Sequence, residues 1–145
     1  MRQWEGIVIH HSASPAATWQ GRYYFKIRAA AIRRWHLHQG FNEIGYHFVI
    51  DRDGLVEEGQ SLDKTGAHCR PGRRNHISIG ICLAGNFEYE SPTVYQMQAL
   101  LELVKQLKQR YGISTNMVEL HGNVQGASTV CPGRFFPAVY FYDNI

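Results

Sequence analysis

Eight histidines and three cysteines stand in a chain of 145 residues. Seven side chains are of types that do chemistry: His10, His11, Tyr46, His47, His68, His121 and Cys131. Imidazole and thiolate together make a donor set suited to zinc, which takes both at about 2.0–2.3 Å. His121 and Cys131 are separated by a run of mostly small or polar residues, GNVQGAST before Val130. Such a segment can fold back and bring both side chains onto one ion. It is no zinc finger, because the sequence has neither CxxC nor HxxxH. The same spacing also suits a capping histidine beside an unrelated buried thiol.

Cysteine–histidine nucleophilic catalysis is the rival chemistry. Cys131 precedes Pro132 and Gly133, so its backbone reads as a turn and not as a helix start, where a helix dipole would activate the thiol. Strand alternation puts His47 on the opposite face from Tyr46, and a hydrogen-bonded structural histidine is the plainer reading of it. Tyr46, by residue type alone, is a core or rim aromatic.

These residues need elements to hold them. Gly6 to His10 is a short β-branched run that delivers His10 and His11 to a sheet edge. From Tyr23 to about Leu37, Ile27, Ala31, Ile32 and Trp35 recur at helical steps, and Gly40 is placed to end that helix. Tyr46 to Ile50 is a second strand, Asp51 to Gly54 has turn chemistry, and Leu55 to Glu57 returns as its hairpin partner. His76 to Leu83 alternates Ile77, Ile79, Ile81 and Leu83 with Ser78, Gly80 and Cys82. Ser91 and Pro92 read as the cap and first turn of a helix. Its stripe is Val94, Met97, Leu101, Val104, Lys108 and Tyr111, widened by Leu100 and Leu107, and Gly112 stops it. Met117 to His121 is another strand ending in histidine. Helices between strands, with one hairpin, predict an α/β fold: a central mixed β-sheet flanked by helices, with the site at the strand ends.

Composition sets the limits. With 44% hydrophobic, 19% charged and 12% aromatic residues, the chain is neither disordered nor fibrous. Its length suits one domain, residues 1–145. No apolar run nears the roughly 18 residues of a membrane span. The polar opening MRQWEG is no signal peptide, so synthesis in the cytoplasm is expected. The net charge of +3 fits an acidic polymer but is no nucleic-acid footprint. Arg70 to Arg74 (RPGRR) reads as a loop, either solvated or touching an anionic substrate. Three cysteines make no disulfide framework, so reduced thiols are expected. The aromatic tail of Phe135, Phe136, Tyr140, Phe141 and Tyr142 reads as core cover, with a membrane or glycan platform as the alternative.

Taken in order, IVIHHSAS, RRWHLHQGFNEIGYHFVIDRDGLVEEG, GAH, HISIGICLAGNF and LHGNVQGASTVCPG resemble the zinc N-acetylmuramoyl-L-alanine amidases. This is the amidase-2 superfamily, which includes phage endolysins and peptidoglycan recognition proteins. The resemblance runs from about Ile7 to Gly133 and is nearest to single-domain, lysozyme-type phage endolysins. It implies zinc held by His10, His121 and Cys131, with a fourth position open to water, and Tyr46 as the catalytic tyrosine. Phage relatives carry lysine two residues before the cysteine; here that residue is Thr129, as in catalytic recognition-type members. Its hydroxyl donates a neutral hydrogen bond, roughly half as strong as a charge-assisted one.

The implied substrate is peptidoglycan, cut at the amide between N-acetylmuramic acid and L-alanine. His36, His68, Arg73 and Asn86 are the expected groove wall. A wall-binding protein without turnover is the competing class, and the retained Cys131 argues against it. The resemblance further implies a monomer released to the wall through a separate holin. Some phage members also bind and inhibit the phage RNA polymerase, a role that a transcription assay with the cognate polymerase decides.

Overall fold

The computed structural model describes residues 2–14, 18–19, 22–23 and 28–145. Strands β1 (Gly6–His11), β4 (Phe48–Ile50), β5 (Val56–Glu58), β6 (Ser78–Leu83) and β7 (Val118–Leu120) form one sheet in the order β5-β4-β6-β1-β7. β1 runs parallel to both β6 and β7, β4 is parallel to β6, and only β4–β5 is antiparallel. The sheet is mixed, as the hairpin between helical crossovers predicts. A second, two-stranded ribbon pairs β2 (Thr18–Trp19) with β3 (Arg22–Tyr23).

β1 and β6 are buried along their whole length, because both faces of the sheet are covered. Ile7, Ile9, Ile79, Ile81 and Leu83 pack with Met97, Leu100, Val104 and Leu107 of helix α3 (Val94–Tyr111). On the opposite face Val49 and Cys82 pack with Ile32 of helix α1 (Ala29–His38) and with Ile44. Two short helices, α2 (Arg74–Ile77) and α4 (Ala138–Asp143), complete the set among the described residues. No helix among the described residues is long and apolar enough to cross a membrane.

Several expectations need correction. Tyr23 is in β3 and not in a helix; Thr, Trp and Tyr all favour extended backbone. Residues 24–27, including Ile27, lie outside the described residues. α1 starts at Ala29, where Glu57 accepts the Ala29 N–H at 2.9 Å and Arg28 pairs with Asp53 at 2.8 Å. Trp35 is 40% exposed, since Ile32 is the α1 residue that reaches the core. His76 and Ile77 belong to α2, so β6 begins at Ser78. Likewise β4 begins at Phe48, two residues later than expected.

The cap of α3 is Thr93 and not Ser91. Its hydroxyl accepts from Gln96 N, while the Gln96 side chain accepts from Thr93 N, a reciprocal capping box. Gln96 is fully buried and also donates to the Ile50 and Ala84 carbonyls. It thus adds a donor at the ends of β4 and β6. Val94 is 70% exposed, whereas Gln96 and Met97 of the same turn are buried. Gly112 closes the helix at φ 67°, as expected. Of the aromatic tail, Phe136 and Phe141 are buried and Tyr142 packs on the core, whereas Phe135 and Tyr140 are exposed.

Candidate metal centre

β1 decides which of its two terminal histidines can work. Alternation sends Ile7, Ile9 and His11 to the α3 face and Val8 and His10 to the other. β1 is an interior strand, so the edge it reaches is the carboxyl-end edge of the sheet. His11 is spent on structure: its Nδ1 accepts the Phe87 N–H at 3.0 Å. His10, adjacent in register to Cys82, is left to face the site.

β7 ends at Leu120, and His121 opens the next turn. The Gly122 N–H donates to the Cys131 carbonyl at 2.7 Å, closing the loop between them. A Cβ at Gly122 would lie 2.7 Å from the Thr129 carbonyl oxygen and 3.0 Å from that of Cys131, so glycine is what permits the approach. Val124 anchors the loop by packing with Val8 and Cys69. The turn after the cysteine is held by Gly133 N–H to Val130 O at 2.7 Å.

These constraints bring His10, His121 and Cys131 together, with one ligand atom from each lying within 4.8 Å of the others. His10 Nδ1 and Cys131 Sγ are 3.8 Å apart. Tetrahedral bonds of about 2.1 and 2.3 Å to a shared zinc would separate N and S by roughly 3.6 Å. The donor set therefore fits the ion in type and in spacing.

The electrostatics agree. Burial, then the neighbouring imidazoles of His68, His121 and His11, hold His10 well below the ordinary histidine value, and burial lowers His121. Both offer neutral nitrogens at pH 7. Burial pushes the Cys131 thiol up to about 12, opposed by the His11 N–H that donates to Sγ at 3.3 Å. A bound cation reverses that balance, because a coordinating thiol gives up its proton.

Tyr46 comes from the segment leading into β4, and its ring centroid is 5.1 Å from that of His10 and 5.3 Å from that of His36. Burial raises its pKa well above 10, with Cys82 and Cys131 adding to the shift. It is a protonated donor and no base.

The other expected residues have distinct surroundings. Thr129 is exposed, its Oγ1 accepts the Cys131 N–H at 3.2 Å, and it lines a cleft of about 330 Å³ with Cys131, Gly122 and Arg134. A second cavity, about 260 Å³, is lined by His121, His68, Phe41, Arg70 and Asn75. Arg70, not Arg73, is the RPGRR residue at that cavity; Arg73 is exposed, with a left-handed backbone at φ 58°. The stretch itself is a 3-10 turn leading into α2, and Arg74 pairs with Glu119. His36 Nδ1 accepts the Gly45 N–H at 2.8 Å. Asn86 uses its side chain within its own turn, accepting from Glu88 N. His47 is the structural residue expected, accepting the Gly80 N–H and bonding the Lys64 carbonyl. His68 is buried, with Nδ1 2.9 Å from His10 Nε2 and Nε2 3.1 Å from the Ser78 carbonyl.

The His68–His10 bond and the His11 N–H on Cys131 leave no signal in the sequence. Both join positions far apart in the chain. The alternation of β1 could have shown that one histidine alone of the pair faces the site.

Known proteins bear on this arrangement. The profile of the Amidase_2 family, N-acetylmuramoyl-L-alanine amidase, matches residues 1–134. The endolysin of Enterobacteria phage T3 is 34% identical over 133 residues, spanning 88% of this chain and 80% of that protein. A peptidoglycan-recognition protein of Drosophila simulans is 35% identical over 128 residues, 88% of this chain and 68% of its own. Among solved structures, the N-acetylmuramoyl-L-alanine amidase LysC from Clostridium intestinale URNW superimposes with a TM-score of 0.82 at 29% identity, covering 97% of this chain and 84% of that one.

Proposed function

The chain belongs to the N-acetylmuramoyl-L-alanine amidase family, and on that premise we propose that it is a zinc-dependent peptidoglycan amidase of the endolysin type. The reaction is hydrolysis of the amide between N-acetylmuramic acid and L-alanine of the stem peptide. The observation that carries the reading is the convergence of His10, His121 and Cys131 from three separate segments. Two imidazoles and one thiolate make a three-ligand set, the pattern of catalytic and not structural zinc. When bound there, the metal supplies Lewis-acid polarisation of the scissile carbonyl and a water acidic enough to attack at neutral pH.

The chain's own residues do the rest. His10, His121 and Cys131 hold the ion. Tyr46, protonated and beside His10, donates its O–H to the oxygen that gains charge as the carbonyl becomes tetrahedral. Thr129 has its lone pair engaged by Cys131 N–H but keeps its own O–H free to donate from the rim. The wall polymer lies across the clefts on either side of the cluster, with Arg70 placed to meet the carboxylates of the stem peptide. The amidase unit spans residues 1–145, acts as a monomer, and reaches the wall after release from the cytoplasm.

End-group analysis tests this. Purified sacculi treated with the protein are expected to gain free α-amino groups on L-alanine and free muramic acid carboxyls, in equal amounts and without new reducing ends. New reducing ends would mean glycosidic cleavage. Binding to sacculi without new amino termini would mean a recognition protein.

A further inference from the structure

His68 occupies a seat built for its ring. In β6, Gly80 has no need of a left-handed backbone, yet a Cβ there would lie 2.6 Å from His68 Cγ and Cδ2. A Cβ on Gly66 would meet His68 Cδ2 at 2.7 Å and His47 Cε1 at 2.9 Å. Two glycines therefore clear the space that the imidazole fills. The loop carrying it is pinned by Asn75, whose Oδ1 accepts both the His68 and Cys69 backbone N–H groups at 2.6 and 2.7 Å.

We propose that His68 is the positioning residue of the metal centre: anchored on the Ser78 carbonyl, its ring fixes which nitrogen of His10 is free to bind the ion. Hydrogen-bond parity fixes where the protons sit. A carbonyl can only accept, so the 3.1 Å contact with Ser78 O requires the proton of His68 to sit on Nε2. A neutral ring protonated there has only a lone pair at Nδ1. His10 Nε2, 2.9 Å away, must then be the donor. The proton of His10 is thereby held on Nε2, and its Nδ1 lone pair faces Cys131 Sγ at 3.8 Å. Metal-bound histidines generally donate their second N–H to a carboxylate, a carbonyl or water. In this chain another imidazole takes that place and passes the constraint on to a main-chain carbonyl.

The inference rests on the zinc reading above, and its test separates the two. Zinc affinity is measured by chelator competition for the wild type, His68→Leu, His68→Asn and Gly80→Ala, with thermal unfolding as a check on folding. Asparagine keeps an acceptor at the position of Nδ1, whereas leucine fills space without one. His68→Leu is expected to bind zinc about 10–100-fold more weakly, the usual effect of losing such a partner. Gly80→Ala, which displaces the ring without altering it, is expected to fall in the same direction. His68→Asn is expected to recover most of the loss. Cobalt loaded in place of zinc gives a second readout: the thiolate-to-cobalt band should shift in His68→Leu and return in His68→Asn.

Wild-type affinity and an unshifted cobalt band in folded His68→Leu would overturn the proposal. So would equal losses in His68→Leu and His68→Asn, which would make the ring mere filling. If His68→Leu does not fold, Gly80→Ala with wild-type affinity and cobalt spectrum overturns it instead. A wild-type protein with no zinc affinity removes the metal reading itself.

Discussion

Cys131→Ala is expected to abolish zinc loading and amide hydrolysis together. The thiol is one of the three proposed ligand atoms, and its removal leaves His10 and His121, which cannot hold the ion tightly on their own. Lewis-acid polarisation is worth several kcal/mol, and each 1.36 kcal/mol is tenfold in rate. The loss should therefore exceed about a thousandfold, down to the background of the assay. Folding should survive, because the Val130–Gly133 turn and the Gly122 tie use the backbone of this loop and not the sulfur. Metal content by elemental analysis and release of amino termini from sacculi check the two halves. A variant that lost zinc but kept its rate would take the metal out of the chemistry.

Tyr46→Phe should separate what Cys131→Ala joins. The ring packs against His10 and His36, and phenylalanine keeps that packing while deleting the one O–H. Zinc content should match the wild type. The rate should fall by about 10²–10³-fold, the usual cost of removing a preorganised donor from a developing oxyanion, with KM little changed. Full activity would show that Tyr46 is a rim aromatic without a catalytic task. Loss of zinc would show that it supports the ligands instead.

Much of this site was legible before the fold was known. His10, His121 and Cys131 are chemically distinctive, and the segments around them carry a family pattern that periodicity alone could not supply. The mixed sheet followed from one hairpin signal among helical crossovers. What stayed hidden has a common physical character. Gln96 looks like a surface residue of α3, yet it is buried, and its side-chain amide donates to two carbonyls at the strand ends. Gly80 reads as one more small residue in an alternating strand, and its reason is the His68 ring lodged against it. The cap of α3 fell to Thr93 because its hydroxyl accepts the Gln96 backbone N–H while the Gln96 side chain accepts the Thr93 backbone N–H. Each of these is set by a specific hydrogen-bond partner or close contact and not by residue type, and the tertiary ones join segments distant in the chain. Trp35 and Val94 erred the other way: helical period put both on an apolar stripe, yet both are exposed.

The most direct test of the account is the release of L-alanine amino termini from purified sacculi before chelation, after it, and after zinc is restored. Release that stops with chelator and returns with zinc, while the protein stays folded throughout, is the predicted result. Release that continues undiminished once elemental analysis shows the protein to be metal-free would contradict it.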